Sequence, residues 1–91
     1  LIEASRRVEI VNKRGLHARA SAKFVGAVAD MADCSIMVSK DGHSAAGGSI
    51  LGLMMLGAAK GDTILIAVTG ETADARLAEL VALVEGGFGE D

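Results

Sequence analysis

The 91-residue sequence has no proline, tyrosine or tryptophan, and two phenylalanines are its whole aromatic content. So few rings leave almost no material for stacking nucleic-acid bases. Without proline, the turns fall mainly to glycine, which occurs 12 times. Cysteine is equally scarce: Cys34 is alone. One thiol builds neither a disulfide framework nor a zinc cluster within the chain, a usage that fits a reducing, cytoplasmic setting. No apolar run reaches membrane-spanning length, and the opening "LIEASRRVEI" lacks the apolar centre of a signal peptide. What is present is 51% hydrophobic, too apolar for disorder. Ninety-one residues suit one domain, with residues 1–5 and 86–91 expected to fray.

The net charge of −3 argues against a nucleic-acid partner. Its distribution says more. Residues 1–23 carry six basic and two acidic groups, whereas residues 24–91 carry three basic and ten acidic ones. Lys13, Arg14, Arg19 and Lys23 all lie within six positions of His17. A positive field concentrated on an acidic chain suggests an anionic ligand or partner there. An ordinary solvated loop is the plainer alternative.

Arg7 to Val11 alternates polar and apolar residues, which predicts a half-buried strand with Val8 and Ile10 inward. Gly15 breaks it. Ala20, Phe24, Ala27, Val28 and Met31 then mark one face of a helix starting near His17 and ending near Asp30–Asp33. Cys34, Ile36 and Val38 alternate in a second strand, and Cys34 is expected to pack there and not to react. Asp41-Gly42 is a two-residue hairpin signal leading into a short strand from Ser44 to Gly47. Ser49 should cap a short helix over "ILGLMML" that stops at Gly57. Thr63 to Thr69 is apolar on both faces, which places it in the middle of the sheet. Thr72 can cap a last helix whose inner face is Leu77, Leu80, Val81 and Val84. The order is β-α-β-β-α-β-α. It predicts an α+β fold with a four-stranded, mainly antiparallel sheet and three helices on one face.

His17 carries the chemistry worth weighing. At a helix start, the N–H groups of Ala18, Arg19 and Ala20 have no intrahelical partner. Together with the positive end of the helix dipole they favour an anion. A neutral imidazole is a nucleophile, and a phosphoryl group on it would meet these donors and the Arg19 guanidinium. Residues two apart do not share a face within a helix, so the pair works only if His17 is the cap. Ala18 and Ala20 are small and leave room for a second protein. Charge and spacing alone leave two readings open: a surface histidine that caps a helix, or a phosphoryl acceptor. No metal-ligand spacing surrounds His17 or His43, and no nucleophile motif accompanies the acidic residues. A small-ligand regulatory module of ferredoxin-like type, with no phosphoryl transfer, is the alternative for the whole chain.

Gly15-Leu16-His17-Ala18-Arg19, the apolar helix behind it and "GGSILGLMMLGAAKGD" about thirty residues on together resemble the HPr family. These are the histidine-containing phosphocarriers of the bacterial phosphoenolpyruvate-dependent phosphotransferase system. The resemblance runs from about Arg6 to Val84. It implies an open-faced β-sandwich and a carrier, not an enzyme. It implies that enzyme I phosphorylates His17 on Nδ1, that Arg19 supports the phosphohistidine, and that a IIA-type protein takes the group onward. One departure stands out. Family members usually place proline after the arginine, and here Ala20 keeps its N–H and leaves the first turn less rigid. The proline-free style resembles proteobacterial members, some of which serve a nitrogen-linked regulatory branch.

In the short helix, Ile50, Leu53 and Leu56 share one face and suit the core, while Leu51, Met54 and Met55 point elsewhere. Methionines at such spacing are commonly core filler. The resemblance turns this segment into a docking patch, with Ile50, Leu51, Met54 and Met55 joined by Lys23. Ser49, a helix cap on its own terms, matches the serine modified by HPr kinase/phosphorylase in many members. A phosphate there would set negative charge beside the patch. No cofactor, metal, nucleic acid or membrane insertion is implied, and a monomer is expected.

Overall fold

The computed structural model describes residues 2–90. Four strands form one antiparallel sheet: β1 (Glu3–Glu9), β2 (Cys34–Lys40), β3 (His43–Ala46) and β4 (Thr63–Gly70). Their spatial order is β1-β4-β2-β3. Three helices, α1 (Ala18–Ala29), α2 (Ile50–Met55) and α3 (Ala73–Glu85), make the second layer, and a turn at Gly87–Gly89 follows. The fold is the α+β architecture expected from the element order.

The alternation within the strands decides which face is covered. Val8, Ile36, Val38, Ile64, Ile66 and Val68 are buried beneath the helices, with Phe24, Leu53, Leu77, Leu80, Val81 and Val84 descending from the other layer. Asp41 and Gly42 both have positive φ, as a two-residue hairpin requires if its twist is to match the strands. β4 is central, as its apolar content predicts, but it is not buried on both sides. Leu65 and Ala67 are half-buried because no helix lies over the second face.

Three further expectations are corrected. The first is fraying. Glu3, Ala4 and Ser5 pair with Thr69, Val68 and Ala67, since β4 offers them a full set of backbone partners. Residues 86–90 are held as well: Gly87 and Phe88 are buried and Glu90 is hydrogen-bonded. Leu1 and Asp91, the outer members of those expected ends, lie outside the described residues. The second concerns Thr72, which stands at the N-cap of α3 without capping it. Its hydroxyl donates to Asp33 instead, tying the start of β2 to the start of α3. Cys34 is half-buried beside it, with Sγ 3.5 Å from Thr72 Oγ1. The third is Ile50, which is exposed, whereas Leu53 and Leu56 are buried as their shared face predicts.

Candidate functional site

The loop before α1 is fastened from both sides. Gly15 sits at φ +61, and its N–H donates to Asn12 C=O at 3.2 Å. The Asn12 amide returns a bond to Gly15 C=O at 2.8 Å. Leu16 N–H donates to Ala58 C=O at 2.9 Å, which joins the loop to the segment following α2. Leu16 itself is buried, so the next residue is delivered to the surface from an anchored position. Ser21, buried inside α1, closes the loop by donating its hydroxyl to Leu16 C=O at 3.1 Å.

His17 is the N-cap of α1, with extended backbone (φ −74, ψ −178). It is therefore outside the helical range, the condition under which it and Arg19 can act together. Nδ1 accepts from Arg19 N–H at 3.3 Å. The first intrahelical bond runs from Ser21 N–H to His17 C=O at 2.9 Å, so the N–H groups of Ala18 and Ala20 have no partner within the helix. Nε2 lies 2.7 Å from Glu90 Oε2. An ionised carboxylate only accepts, so Nε2 carries the ring proton and Nδ1 bears the free pair.

Glu90 is a member of the site that the sequence reading left in a fraying tail. Its second oxygen accepts from the Asn12 amide at 3.1 Å. The His17 ring, the Asn12 amide and the charge of Lys23 hold its carboxyl below the ordinary glutamate value, against the opposing effect of partial burial. Lys23 also fixes the tail by donating Nζ–H to Phe88 C=O at 2.6 Å. Phe88 is 1% exposed although its φ is +58. A bulky residue keeps that conformation only where burial of its ring compensates. One signal was available: a phenylalanine, one of two in the chain, among glycines and acidic residues needs a place to be buried.

Lys13, Arg14, His17, Arg19, Lys23, Gly89 and Glu90 surround an open cleft of about 430 Å³. Among the described residues, Lys13, Arg14 and Arg19 form no ion pair. Three uncommitted cations around a nucleophilic nitrogen make a place where an anionic group is attracted and then held by oriented N–H donors.

The remaining candidates are on α2. Ser49 is half-buried, and its Oγ accepts from Gly52 N–H at 3.0 Å, a plain N-cap. Leu51 is 67% exposed and Met55 77%, with Ile50 and Met54 exposed beside them. α1 and α2 pack together, so this apolar patch and the histidine belong to the same layer.

Comparison with known proteins bears on the chain as a whole. Residues 4–86 match the family described as "PTS HPr component phosphorylation site". The chain is 44% identical over 84 residues to the phosphocarrier protein HPr of Pseudomonas aeruginosa, covering 91% of this chain and 92% of that protein. It is 39% identical over 90 residues to the phosphocarrier protein NPr of Shewanella violacea, covering 99% and 98%. Among solved structures, HPr-C-His from Thermoanaerobacter tengcongensis superposes with a TM-score of 0.90 at 35% identity, covering 97% of this chain and 98% of that one.

Proposed function

The chain belongs to the HPr family of phosphocarriers, stoichiometric members of the phosphotransferase relay, and on that premise we propose that His17 is the residue that takes the phosphoryl group. The supporting observation is the ring's placement: its Nδ1 accepts from Arg19 N–H in the first turn of α1, and four cations line the cleft around it. Transfer between two imidazoles needs in-line approach and charge stabilisation, with little other chemistry. Arg19 would neutralise the phosphoryl oxygens, and the N–H groups of Ala18, Arg19 and Ala20 would donate hydrogen bonds to them.

The donor in this reading is enzyme I, charged by phosphoenolpyruvate, and the acceptor is a IIA-type protein. Both would dock on the exposed apolar side of α2, at Ile50, Leu51, Met54 and Met55. A flexible, methionine-bearing patch suits more than one partner. Lys23 borders the cleft and would meet a partner's acidic rim, although its ammonium already serves the Phe88 carbonyl. Ser49 is proposed as a regulatory site for HPr kinase/phosphorylase. Its phosphate would add about −1.5 to −2 charges beside the patch and weaken docking by repulsion and desolvation.

The test is incubation with enzyme I and phosphoenolpyruvate. The wild-type chain should gain one acid-labile, alkali-stable phosphate, and the His17→Ala chain none. Phosphate persisting on the His17→Ala chain would overturn the assignment.

A further inference from the structure

We infer that Glu90 is a positioning residue for His17: its carboxylate binds Nε2–H, fixes the ring's tautomer and rotation, and steadies the positive charge the ring acquires while phosphorylated. The inference rests on the phosphocarrier reading above and adds to it a residue 73 positions away in the sequence.

The geometry divides the ring between two anchors. Glu90 Oε2 takes Nε2–H at 2.7 Å, and Arg19 N–H points at Nδ1 from 3.3 Å. One nitrogen must donate and the other must accept, so a single tautomer satisfies both contacts. Rotating the ring by half a turn would break both.

The carboxylate is itself mounted. Asn12, 2% exposed, donates from its amide to Glu90 Oε1 at 3.1 Å and to Gly15 C=O at 2.8 Å. The residue that shapes the loop before His17 is thus also the one that holds Glu90. Phe88 anchors the segment in the core, and Lys23 ties its carbonyl to α1. Glu90 reaches the ring from a fixed base, not as a wandering surface side chain. Its charge does not make the cleft anionic, because Lys13, Arg14, Arg19 and Lys23 line the same space.

The contact has a defined place in the reaction. With a phosphohistidine as donor, the Nδ1 lone pair forms the new N–P bond. The donor's N–P bond breaks, and its electron pair returns to the donor imidazole. His17 then carries a positive charge, while the Nε2 proton stays between the ring and Glu90. On transfer onward, the acceptor nitrogen attacks phosphorus and the N–P electron pair returns to Nδ1. A carboxylate at Nε2 stabilises the charged ring during both transfers, the role a buried aspartate plays behind the histidine of hydrolytic triads.

The full chain and its Glu90→Ala and Glu90→Gln variants test this with two readouts. Nitrogen-15-resolved proton spectra should show a protected, downfield Nε2–H signal for His17 in the wild type. The signal should vanish in Glu90→Ala and persist, less shifted, in Glu90→Gln, which keeps an acceptor without the charge. Phosphoryl transfer from phosphorylated enzyme I should slow about tenfold in Glu90→Ala and less in Glu90→Gln. An unchanged transfer rate in Glu90→Ala, or an unchanged ring signal, overturns the inference. Failure of the wild type to accept phosphate would instead overturn the phosphocarrier reading, and the ring signal would still report whether Glu90 holds Nε2.

Discussion

Gly15 and Ala58 approach so closely that a β-carbon built on Gly15 would fall 2.1 Å from the Ala58 carbonyl oxygen. The same glycine has φ +61, a conformation other residues adopt at a cost. Gly15→Ala therefore meets two penalties at once. It should destabilise the fold by about 3 kcal/mol, read from urea denaturation. The loop that presents His17 would shift, and phosphate uptake should fall further than stability alone explains.

Arg19 is exposed and free of ion pairs among the described residues. Its removal should leave the thermal midpoint nearly unchanged, within about 0.5 kcal/mol of stability. The rate of phosphoryl transfer to Arg19→Ala should fall about tenfold or more, since the proposed role of Arg19 is to stabilise charge on the phosphoryl oxygens. A matching loss of stability and rate would place Arg19 in the fold and not in the chemistry.

On α2 the two faces predict opposite outcomes. Leu51→Asp and Met54→Asp alter exposed side chains and should weaken binding to enzyme I about tenfold or more, at almost constant melting temperature. Leu53→Ala truncates a side chain with no exposure, and should cost about 2–5 kcal/mol. Titration calorimetry with enzyme I and thermal melts separate the two.

Acid should loosen two long-range ties together. Hydrogen bonds from the His17 ring and Asn12, aided by the charge of Lys23, hold Glu90 below its ordinary value. The Thr72 hydroxyl, a backbone N–H and then Arg76 do the same for Asp33. Each carboxylate binds its proton more weakly when folded than when unfolded. Each therefore contributes stability above the ordinary carboxylate range, and that contribution is lost as pH falls through the folded value. Thermal midpoints should drop below about pH 4, and Glu90→Gln should drop less steeply than the wild type.

How far the sequence was legible follows from how local each signal is. The cap at His17 was readable because a glycine break and an apolar period adjoin it. The split between Leu53, Leu56 and the exposed Leu51, Met54 and Met55 came from helical spacing alone. Ile50 shares that spacing yet is exposed, because it opens a six-residue helix where the buried stripe has not begun. Leu65 and Ala67 read as buried because their strand is apolar on both faces, and which face the helices cover is decided by packing. Glu90 was out of reach for a different reason. Its contacts to Asn12 and His17 span nearly the whole chain, and its glycine-rich surroundings look like a flexible end until Phe88 is given somewhere to go.

The sheet order has a bearing on how the molecule comes into being. β4 lies between β1 and β2 but follows both in the sequence. A chain emerging from the ribosome can form the β2–β3 hairpin early, while β1 waits for a partner more than fifty residues away. Pairings so distant in sequence form late and slowly. The loop before His17 leans on Ala58, and its ring leans on Glu90. The cleft around His17 is therefore among the last parts of the protein to exist, and a partly made chain would have no finished site to offer a phosphoryl donor.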